Sequence, residues 1–294
     1  MWDYVTEQGN DSYGDTMTGG RLGRHRSGSS RGPTAPLTDP HYTVPLYKKA
    51  EAARIIRVPP STLRNWAGPV ATVRVSVADQ DFGTAAEGAA VRVEASVERI
   101  ETRSVPIRHD GLITVAVPRT SRGPTIPFVG LAEAYILASF RQAGVPMQRI
   151  RPAIRRLEEE MGLVQALASE RLRTDGAEVL WDYGQQTDDQ AEKDAVGDLI
   201  VVRNGQLIFR PVVQGYLRRV TYRDGWARII NVGRSNVDVT VDPWINGGQP
   251  TLARRGIAVA DVLSRIRAGE SSKAVAADYG LRQPEITALL ELAA

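Results

Sequence analysis

The sequence predicts a mainly α-helical protein with small β elements, an α+β fold in which two helix-turn-helix units flank a strand-rich middle. Near each end of the chain, apolar residues recur at helical spacing until a proline or glycine interrupts the run. In the amino-terminal run these residues are Leu46, Ala50, Ala53 and Ile56. In the middle, short stretches such as ATVRVSVAD alternate apolar and polar residues, which is the period of half-buried strands.

Length and charge limit the classes of protein that the chain can represent. Its 294 residues are enough for two or three compact units, and its net charge of +3 permits an anionic partner. Cysteine is absent, which excludes disulfides and thiolate metal sites. No apolar stretch approaches the roughly 18 residues of a membrane span, and the start MWDYVTEQGN has no secretory signal. We therefore expect a cytoplasmic protein without a membrane partner.

Composition and periodicity divide the chain into four regions. Residues 1–40 are rich in Gly, Ser, Arg and Pro, so we expect a disordered tail. Residues 41–175 are expected to form a helical domain with a strand-containing insert at 71–117. Residues 176–241 are expected to be a small mixed α/β region made mostly of short strands. Residues 242–294 are expected to end the chain as a three-helix unit with a helix-turn-helix.

Local signals in the middle of the chain predict individual elements. Asp110-Gly111 and Asn204-Gly205 each lie between two short apolar runs, which predicts a β-hairpin at both places. PVVQGYLRRV is predicted to be a helix, WARIINV and VDVTVD to be strands, and QQTDDQAEKDAVGD to be an acidic loop. Residues 130–161 predict two helices, broken at Gly144-Val145-Pro146. The second of these helices has an apolar stripe: Met147, Ile150, Ile154, Leu157 and Met161.

The stretch YTVPLYKKAEAARIIRVPPSTLRNWAGP predicts two short helices joined by a tight turn. Val58 precedes Pro59, and a residue before proline is pushed out of the α region, so the first helix should end there. Pro60 suits the first turn of a second helix, in which Leu63 and Trp66 should face the core. Two helices joined in this way make a helix-turn-helix.

No residue pattern predicts an enzyme or a metal site. The three histidines, His25, His41 and His109, are scattered over the tail and turns, whereas metal and acid–base sites need convergent groups. GGQP at 247–250 lacks the lysine and hydroxyl of a phosphate loop, so we interpret it as a turn. We therefore expect no catalysis, no metal and no cofactor.

The second helix of the amino-terminal unit carries side chains that suit DNA. Arg64 can pair with guanine and Asn65 with adenine. Ser61 and Thr62 are near the helix amino end, where hydroxyls and backbone N–H groups suit phosphates. Two nearby cations are predicted to add phosphate contacts: Lys48 and Arg57. The alternative interpretation is a polar face on a small helical module that binds protein.

The order of elements around this unit resembles the DNA-binding half of the MerR family. YKKAEAARIIRVPPSTLRNW is similar to the family's opening helix-turn-helix, and FRQAGVPMQRI is similar to its later helix pair. The resemblance implies a winged helix-turn-helix, which typically binds DNA as a dimer. The insert at 71–117 is far longer than the family's wing, so no wing contact is carried over. The predicted DNA contacts include three arginines of the helix pair: Arg149, Arg155 and Arg156.

The carboxyl end resembles a small bacterial domain found in antitoxins. The matching motifs are Asp242-Pro243, Gly248-Gln249-Pro250, Ala268-Gly269-Glu270-Ser271 and Ala277-Asp278-Tyr279. Arg255-Gly256-Ile257 departs from the usual Gly-Thr-Arg order. With the MerR-like start, this ending is similar to the longer VapB-type antitoxins. The resemblance implies a type II antitoxin that binds a PIN-like ribonuclease toxin, blocks its acidic metal-dependent site, and represses its own operon by binding operator double-stranded DNA.

The carboxyl-terminal helix-turn-helix, RAGESSKAVAADYGLRQPEI, has side chains that do not favour base recognition. Glu285 and Glu291 in its last helix would repel phosphates. We therefore assign DNA to the amino-terminal unit and predict four partner-binding residues near the other end: Trp244, Arg254, Arg255 and Arg282. A homodimer or a larger toxin–antitoxin assembly is expected. A stand-alone MerR-type regulator and a purely structural adaptor are the alternatives. The identity of the neighbouring gene would separate the antitoxin from the regulator, and an adaptor would show no DNA binding at any salt.

Overall fold

A computed structural model describes residues 39–68, 106–107, 111–116, 118, 120, 122–233 and 237–293. All of them lie in one compact unit, Pro33–Ala294. The predicted disordered tail, apart from its last two residues, lies outside the described residues, and so does most of the insert predicted at 71–117. Helices predominate and the sheets are small, so the predicted α+β class is confirmed.

The amino-terminal helix-turn-helix is confirmed. A short helix α1 (Pro40–Thr43) and strand β1 (Pro45–Tyr47) precede its two helices, α2 (Lys49–Ile56) and α3 (Pro60–Ala67). Arg57 ends α2 in the left-handed region with φ of 58°, and the Val58 N–H donates to the Ala53 carbonyl at 2.9 Å. Pro60 occupies the first turn of α3, where its missing N–H costs nothing. The predicted core residues are buried: Leu63 and Trp66.

The described ends of the insert return to this unit. Strand β2 (Pro106–Ile107) pairs antiparallel with β3 (Val115–Ala116), so strands lie on both sides of the predicted Asp110-Gly111 turn. Residues 108–110 lie outside the described part. The Leu112 N–H donates to the Trp66 carbonyl at 2.6 Å. Strand β4 (Ile126–Pro127) then pairs with β1. The insert therefore leaves and rejoins the fold beside α3.

Two long helices make the centre of the core. Helix α4 (Phe128–Gln142) is buried over almost its whole length, and α5 (Met147–Met161) follows the predicted break. The predicted apolar stripe of α5 faces inward, with Met147 partly buried and the other four residues fully buried. A 3-10 turn and the short helix α6 (Arg171–Thr174) come next.

Within its described residues, the region 176–241 contains three helices as well as five short strands, so it is less rich in strands than predicted. It contains α7 (Gly176–Gln186), α8 (Gln190–Gly197) and α9 (Pro211–Leu217). The predicted acidic loop is in fact the end of α7 and α8, because Asp189 caps α8 by accepting from the Ala191 N–H at 2.8 Å. Packing of α8 against α5 and α7 then buries its apolar side. The hairpin β5 (Ile200–Arg203) and β6 (Gln206–Phe209) is confirmed, as is α9.

A five-stranded antiparallel sheet links the middle of the chain to its carboxyl end. Its strands are β7 (Val220–Arg223), β8 (Trp226–Asn231), β9 (Val239–Val241), β10 (Thr251–Leu252) and β11 (Ile257–Ala258), in the order β11-β10-β9-β8-β7. Strand β9 pairs with β10. The sheet therefore continues across the boundary predicted between residues 241 and 242.

The predicted carboxyl-terminal three-helix unit is present as α10 (Val259–Arg267), α11 (Ser272–Tyr279) and α12 (Gln283–Ala293). It packs against the amino-terminal unit. The buried Tyr47 hydroxyl donates to the Gly248 carbonyl at 2.6 Å, and Gln249 Nε2 donates to Glu51 Oε1 at 3.0 Å. Helix α12 also contacts α2. The two helix-turn-helix units therefore belong to one packed body.

Candidate nucleic-acid interface and arginine cavity

Helix α3 presents a polar face to solvent because its apolar residues are spaced to point inward. Ser61, Arg64 and Asn65 are exposed, whereas Leu63 and Trp66 on the other side are fully buried. An exposed helix with a guanidinium and an amide on one face has the side chains that pair with guanine and adenine edges. The structure therefore places these three predicted DNA contacts on one accessible surface.

Two cations that the sequence analysis did not select extend this face. Arg141 at the end of α4 donates from Nη1 to Thr62 Oγ1 at 2.8 Å. Lys49, half-buried at the start of α2, has a lowered pKa because of its burial and the nearby charge of Arg64. Two cations held near one another repel each other. An anion that binds between them, such as a DNA phosphate, reduces this repulsion. Lys49 is adjacent to the predicted Lys48, whose side chain is exposed.

The remaining predicted DNA contacts lie elsewhere. The Arg57 guanidinium donates to the Val232 carbonyl at 2.8 Å, so this side chain bridges the turn to the strand region. The other three are on α5, a helix that packs against α7 and α8. Among them Arg149 and Arg155 are exposed, and Arg156 forms an ion pair with Glu160. Arg57 therefore lies in the turn before α3 and contacts the strand region, and the other three predicted arginines lie on α5.

Three of the four predicted partner-binding residues meet at one cavity. Arg254, Arg255 and Arg282 line a cavity of about 630 Å³, to which the start of α12 and strand β8 also contribute. Arg219, which the sequence analysis did not select, joins them there. Two carboxylates also line it, Asp238 and Glu285, so the arginines are in excess. The cavity therefore carries positive charge that suits an acidic partner.

Local contacts engage two of the exposed cavity arginines, Arg255 and Arg282, and do not engage Arg254. Arg255 donates to the Gly280 carbonyl at the end of α11. The Arg282 N–H donates to Glu285 at 2.7 Å, and this bond lowers the pKa of the Glu285 carboxyl. Arg254 is exposed, and no hydrogen bond or ion pair engages its side chain within the described ranges. Arg254 is therefore the cavity cation that is most available to a partner.

Trp244, the fourth predicted partner-binding residue, lies in a separate cluster within the chain. Its ring stacks on His41 with centroids 4.4 Å apart, and the Arg228 guanidinium lies 3.2 Å from its centroid. Arg228 in turn pairs with the buried Asp242 at 3.3 Å. The residue is 37% exposed, so part of its surface stays open to solvent beside these contacts. Asp242 and Trp244 of the Asp-Pro-Trp sequence therefore have packing roles within the chain.

The carboxyl-terminal motif residues also have structural roles. Arg265 of α10 pairs with Glu270 in the turn and with Asp278 of α11, the second contact at 2.7 Å. Ser271 caps α11 by accepting from the Ala274 N–H at 3.2 Å. The Ala268–Ser271 and Ala277–Tyr279 motifs therefore help to join α10 to α11.

Other kinds of site were also considered. Within the residues that the structure describes, no three His, Cys, Asp or Glu side chains gather as metal ligands would. In the same residues, no helix combines the length and apolar character needed to cross a membrane.

The fold and the exposed face of α3 define a helix-turn-helix protein, and a comparison with known families also finds a helix-turn-helix domain, on residues that follow α3. Residues 70–154 match a family described as "Putative DNA-binding HTH domain". This match begins after α3 and includes the described segments from β2 to α4 and the first half of α5. Residues 239–293, from β9 to α12, match a family described as "Protein of unknown function (DUF433)".

A curated protein and a solved structure, both from Mycobacterium tuberculosis, match most of the chain. One, named "Putative antitoxin VapB45", is 36% identical over 255 residues, which are 85% of this chain and 94% of the relative. The other is the crystal structure of Rv2018, with a TM-score of 0.66 at 35% identity, covering 85% of this chain and 98% of that chain. The chain therefore belongs to the VapB-type antitoxin family, which confirms the family resemblance.

Proposed function

We propose that the protein neutralises a PIN-like ribonuclease toxin and represses its own operon by binding operator DNA. The observation that carries the proposal is the presence of two cationic surfaces on different elements of one body. The first is the α3 face with Arg64 and Asn65, and the second is the cavity lined by Arg254, Arg255 and Arg282. Because different residues form them, one chain can present one surface to DNA and the other to a protein.

On the DNA side, α3 enters the major groove as the recognition helix of a helix-turn-helix. Arg64 pairs with guanine and Asn65 with adenine, and each such contact is worth about 1–3 kcal/mol of discrimination. Lys49 and Arg141 flank the helix and contact phosphates, which supply affinity without sequence information. Operator binding in a dimer places two such helices about one DNA turn apart.

On the partner side, the cavity arginines face the acidic, metal-dependent site that the family resemblance implies for the toxin. Guanidinium groups bind carboxylates through paired N–H bonds, a geometry that lysine cannot reproduce. Arg254 makes the first contact, because its side chain is exposed and has no partner in the described ranges. Pairing the toxin's carboxylates with arginine removes them from metal binding and so stops RNA cleavage.

The test uses two pairs of substitutions and one control. Arg64→Ala with Asn65→Ala should weaken operator binding by about 2–6 kcal/mol in gel shifts and leave co-purification with the toxin intact. Arg254→Glu with Arg282→Glu should release the toxin, restore its ribonuclease activity, and leave operator binding intact. Arg203→Ala, an exposed arginine on the β5–β6 hairpin, is the matched control and should change neither activity.

Two outcomes would contradict the proposal. Loss of both activities from either pair would mean that the two surfaces are not separate. Loss of neither activity would mean that DNA and toxin bind elsewhere on the chain. A neighbouring gene whose product is not a nuclease, and which does not co-purify with the chain, would remove the toxin half of the proposal and leave the DNA half to be judged by the gel shift.

A further inference from the structure

A cleft of about 310 Å³ opens beside the turn of the amino-terminal helix-turn-helix. Its walls come from the end of α2, the middle of α4, helix α9 and the end of β8. Small-molecule sites in proteins begin at about 300 Å³ and are mostly apolar with a few convergent polar groups. The cleft is thus large enough for a small organic molecule. It lies apart from the exposed face of α3, and it shares one lining residue, Arg219, with the arginine cavity.

The wall of the cleft is apolar and aromatic. Ile55, Ile56 and Val232 contribute aliphatic surface. Tyr135 of α4 and Tyr216 of α9 lie side by side, with ring centroids 4.7 Å apart and planes tilted by 43°. Burial raises the pKa of Tyr135 to about 12, so at neutral pH its hydroxyl keeps its proton. These walls suit the hydrocarbon part of a ligand.

Two guanidinium groups supply the charge in the cleft. Arg57 Nη2 donates to the Val232 carbonyl at 2.8 Å, and Arg219 Nη1 donates to the Gly233 carbonyl at 2.9 Å. These bonds hold both guanidinium groups in place at the cleft, so their side chains lose little conformational entropy when a ligand binds. No carboxylate is found among the described residues that line the cleft. Positive charge beside apolar walls favours an amphipathic anion.

Gly215 of α9 is one of the residues that line the cleft. Glycine inside a helix destabilises it relative to alanine. A Cβ built at Gly215 meets no heavy atom within 4 Å, so packing does not require glycine here, and no φ restriction requires it either. Because Gly215 is part of the cleft wall, we expect a long side chain at this position to reduce the space available to a ligand.

We propose that this cleft binds a small amphipathic carboxylate, with its apolar part against the two tyrosine rings and its carboxylate on Arg57 and Arg219. Arg57 is the residue that turns the chain from α2 into α3, so the ligand contacts the segment that orients the DNA-recognition helix. The ligand would be a low-molecular-weight effector, distinct from the DNA and from the protein partner. The proposal does not depend on either of them, since binding is measured on the protein alone.

The test titrates the full-length protein with benzoate and isovalerate by calorimetry and protein NMR. Benzamide, a neutral analogue of benzoate, reports the contribution of the charge. At least one carboxylate should bind at a single site, and benzamide should bind about tenfold more weakly than benzoate or not at all. Gly215→Leu should abolish carboxylate binding, whereas Gly197→Leu, at a helical glycine with equally open space outside the cleft, should leave it unchanged.

A second variant keeps the proposal testable if Gly215→Leu does not fold. Arg219→Gln removes one charge and should weaken binding of the carboxylate about tenfold. The proposal is overturned if neither carboxylate binds up to its solubility limit, or if benzamide binds as tightly as benzoate. It is also overturned if folded Gly215→Leu protein, or Arg219→Gln protein, binds the carboxylate as the unmodified chain does.

Discussion

Replacing Tyr47 with phenylalanine should weaken the junction between the two helix-turn-helix units. The Tyr47 ring is fully buried, and its hydroxyl donates to the Gly248 carbonyl at 2.6 Å. Phenylalanine keeps the ring and removes only this donor. A buried carbonyl that loses its donor lowers the free energy of unfolding by about 1–3 kcal/mol, because water cannot reach it to replace the hydrogen bond. Tyr47→Phe should therefore lower the free energy of unfolding by about 1–3 kcal/mol.

Urea denaturation followed by tryptophan fluorescence measures this loss directly. For a domain of this size, 1 kcal/mol corresponds to a change in melting temperature of about 2–4 °C, so a midrange loss of about 2 kcal/mol should lower it by about 4–8 °C. Tyr222→Phe is the matched control. The Tyr222 hydroxyl is buried, and no partner for it is found among the described residues. Removing an unpaired buried hydroxyl should be neutral or stabilising.

The comparison of these two tyrosines decides the argument. A loss of stability in Tyr47→Phe and none in Tyr222→Phe would support the hydrogen bond between the two units. Equal effects in the two variants, or a change of less than about 0.5 kcal/mol in Tyr47→Phe, would refute the reasoning, because the junction would then not depend on this bond.

Gly130→Ala should destabilise the fold by about 1–3 kcal/mol in the same urea assay, since a Cβ there would lie 2.1 Å from the Thr114 carbonyl oxygen. Arg265 lowers the pKa of Glu270 below its ordinary 4.5, so the stability from this pair is present above that pH and is lost as the pH falls below it. Arg265→Met should remove this acid dependence from melting curves, and an unchanged dependence would refute the assignment. Lys49→Met should reduce the slope of log affinity for operator against log salt by about 0.9, and an unchanged slope would mean that Lys49 contacts no phosphate.

Elements with local signals were predicted well from the sequence. Val58-Pro59-Pro60 fixes the turn between α2 and α3, and Asn204-Gly205 fixes the β5–β6 hairpin, because these residues restrict the backbone by themselves. Helix α8 was missed because its sequence is acidic and weakly periodic. Its helical state depends on packing against α5 and α7, which are distant contacts that a local pattern does not contain. The Asp189 cap is a local signal, and the sequence analysis did not use it.

The sequence predicted which residue types form the candidate sites, but it did not predict which of these residues lie together in the fold. Arg254, Arg255 and Arg282 were selected for their charge, and the structure adds that they share a cavity with Arg219. That cavity depends on the antiparallel pairing of β8 with β9 and of β9 with β10, which no short pattern specifies. In the same way, Arg141 reaches Thr62 across 79 positions in the sequence.

Hydrogen exchange measured by mass spectrometry tests the central claim most directly. The claim is that α3 contacts DNA and that the arginine cavity contacts the toxin. Adding operator DNA should slow exchange at 60–67 and leave 280–285 unchanged, and adding toxin should slow exchange at 252–256 and 280–285 and leave α3 unchanged. Protection of 280–285 by DNA, or of 60–67 by toxin, with the expected segment unprotected, would contradict it.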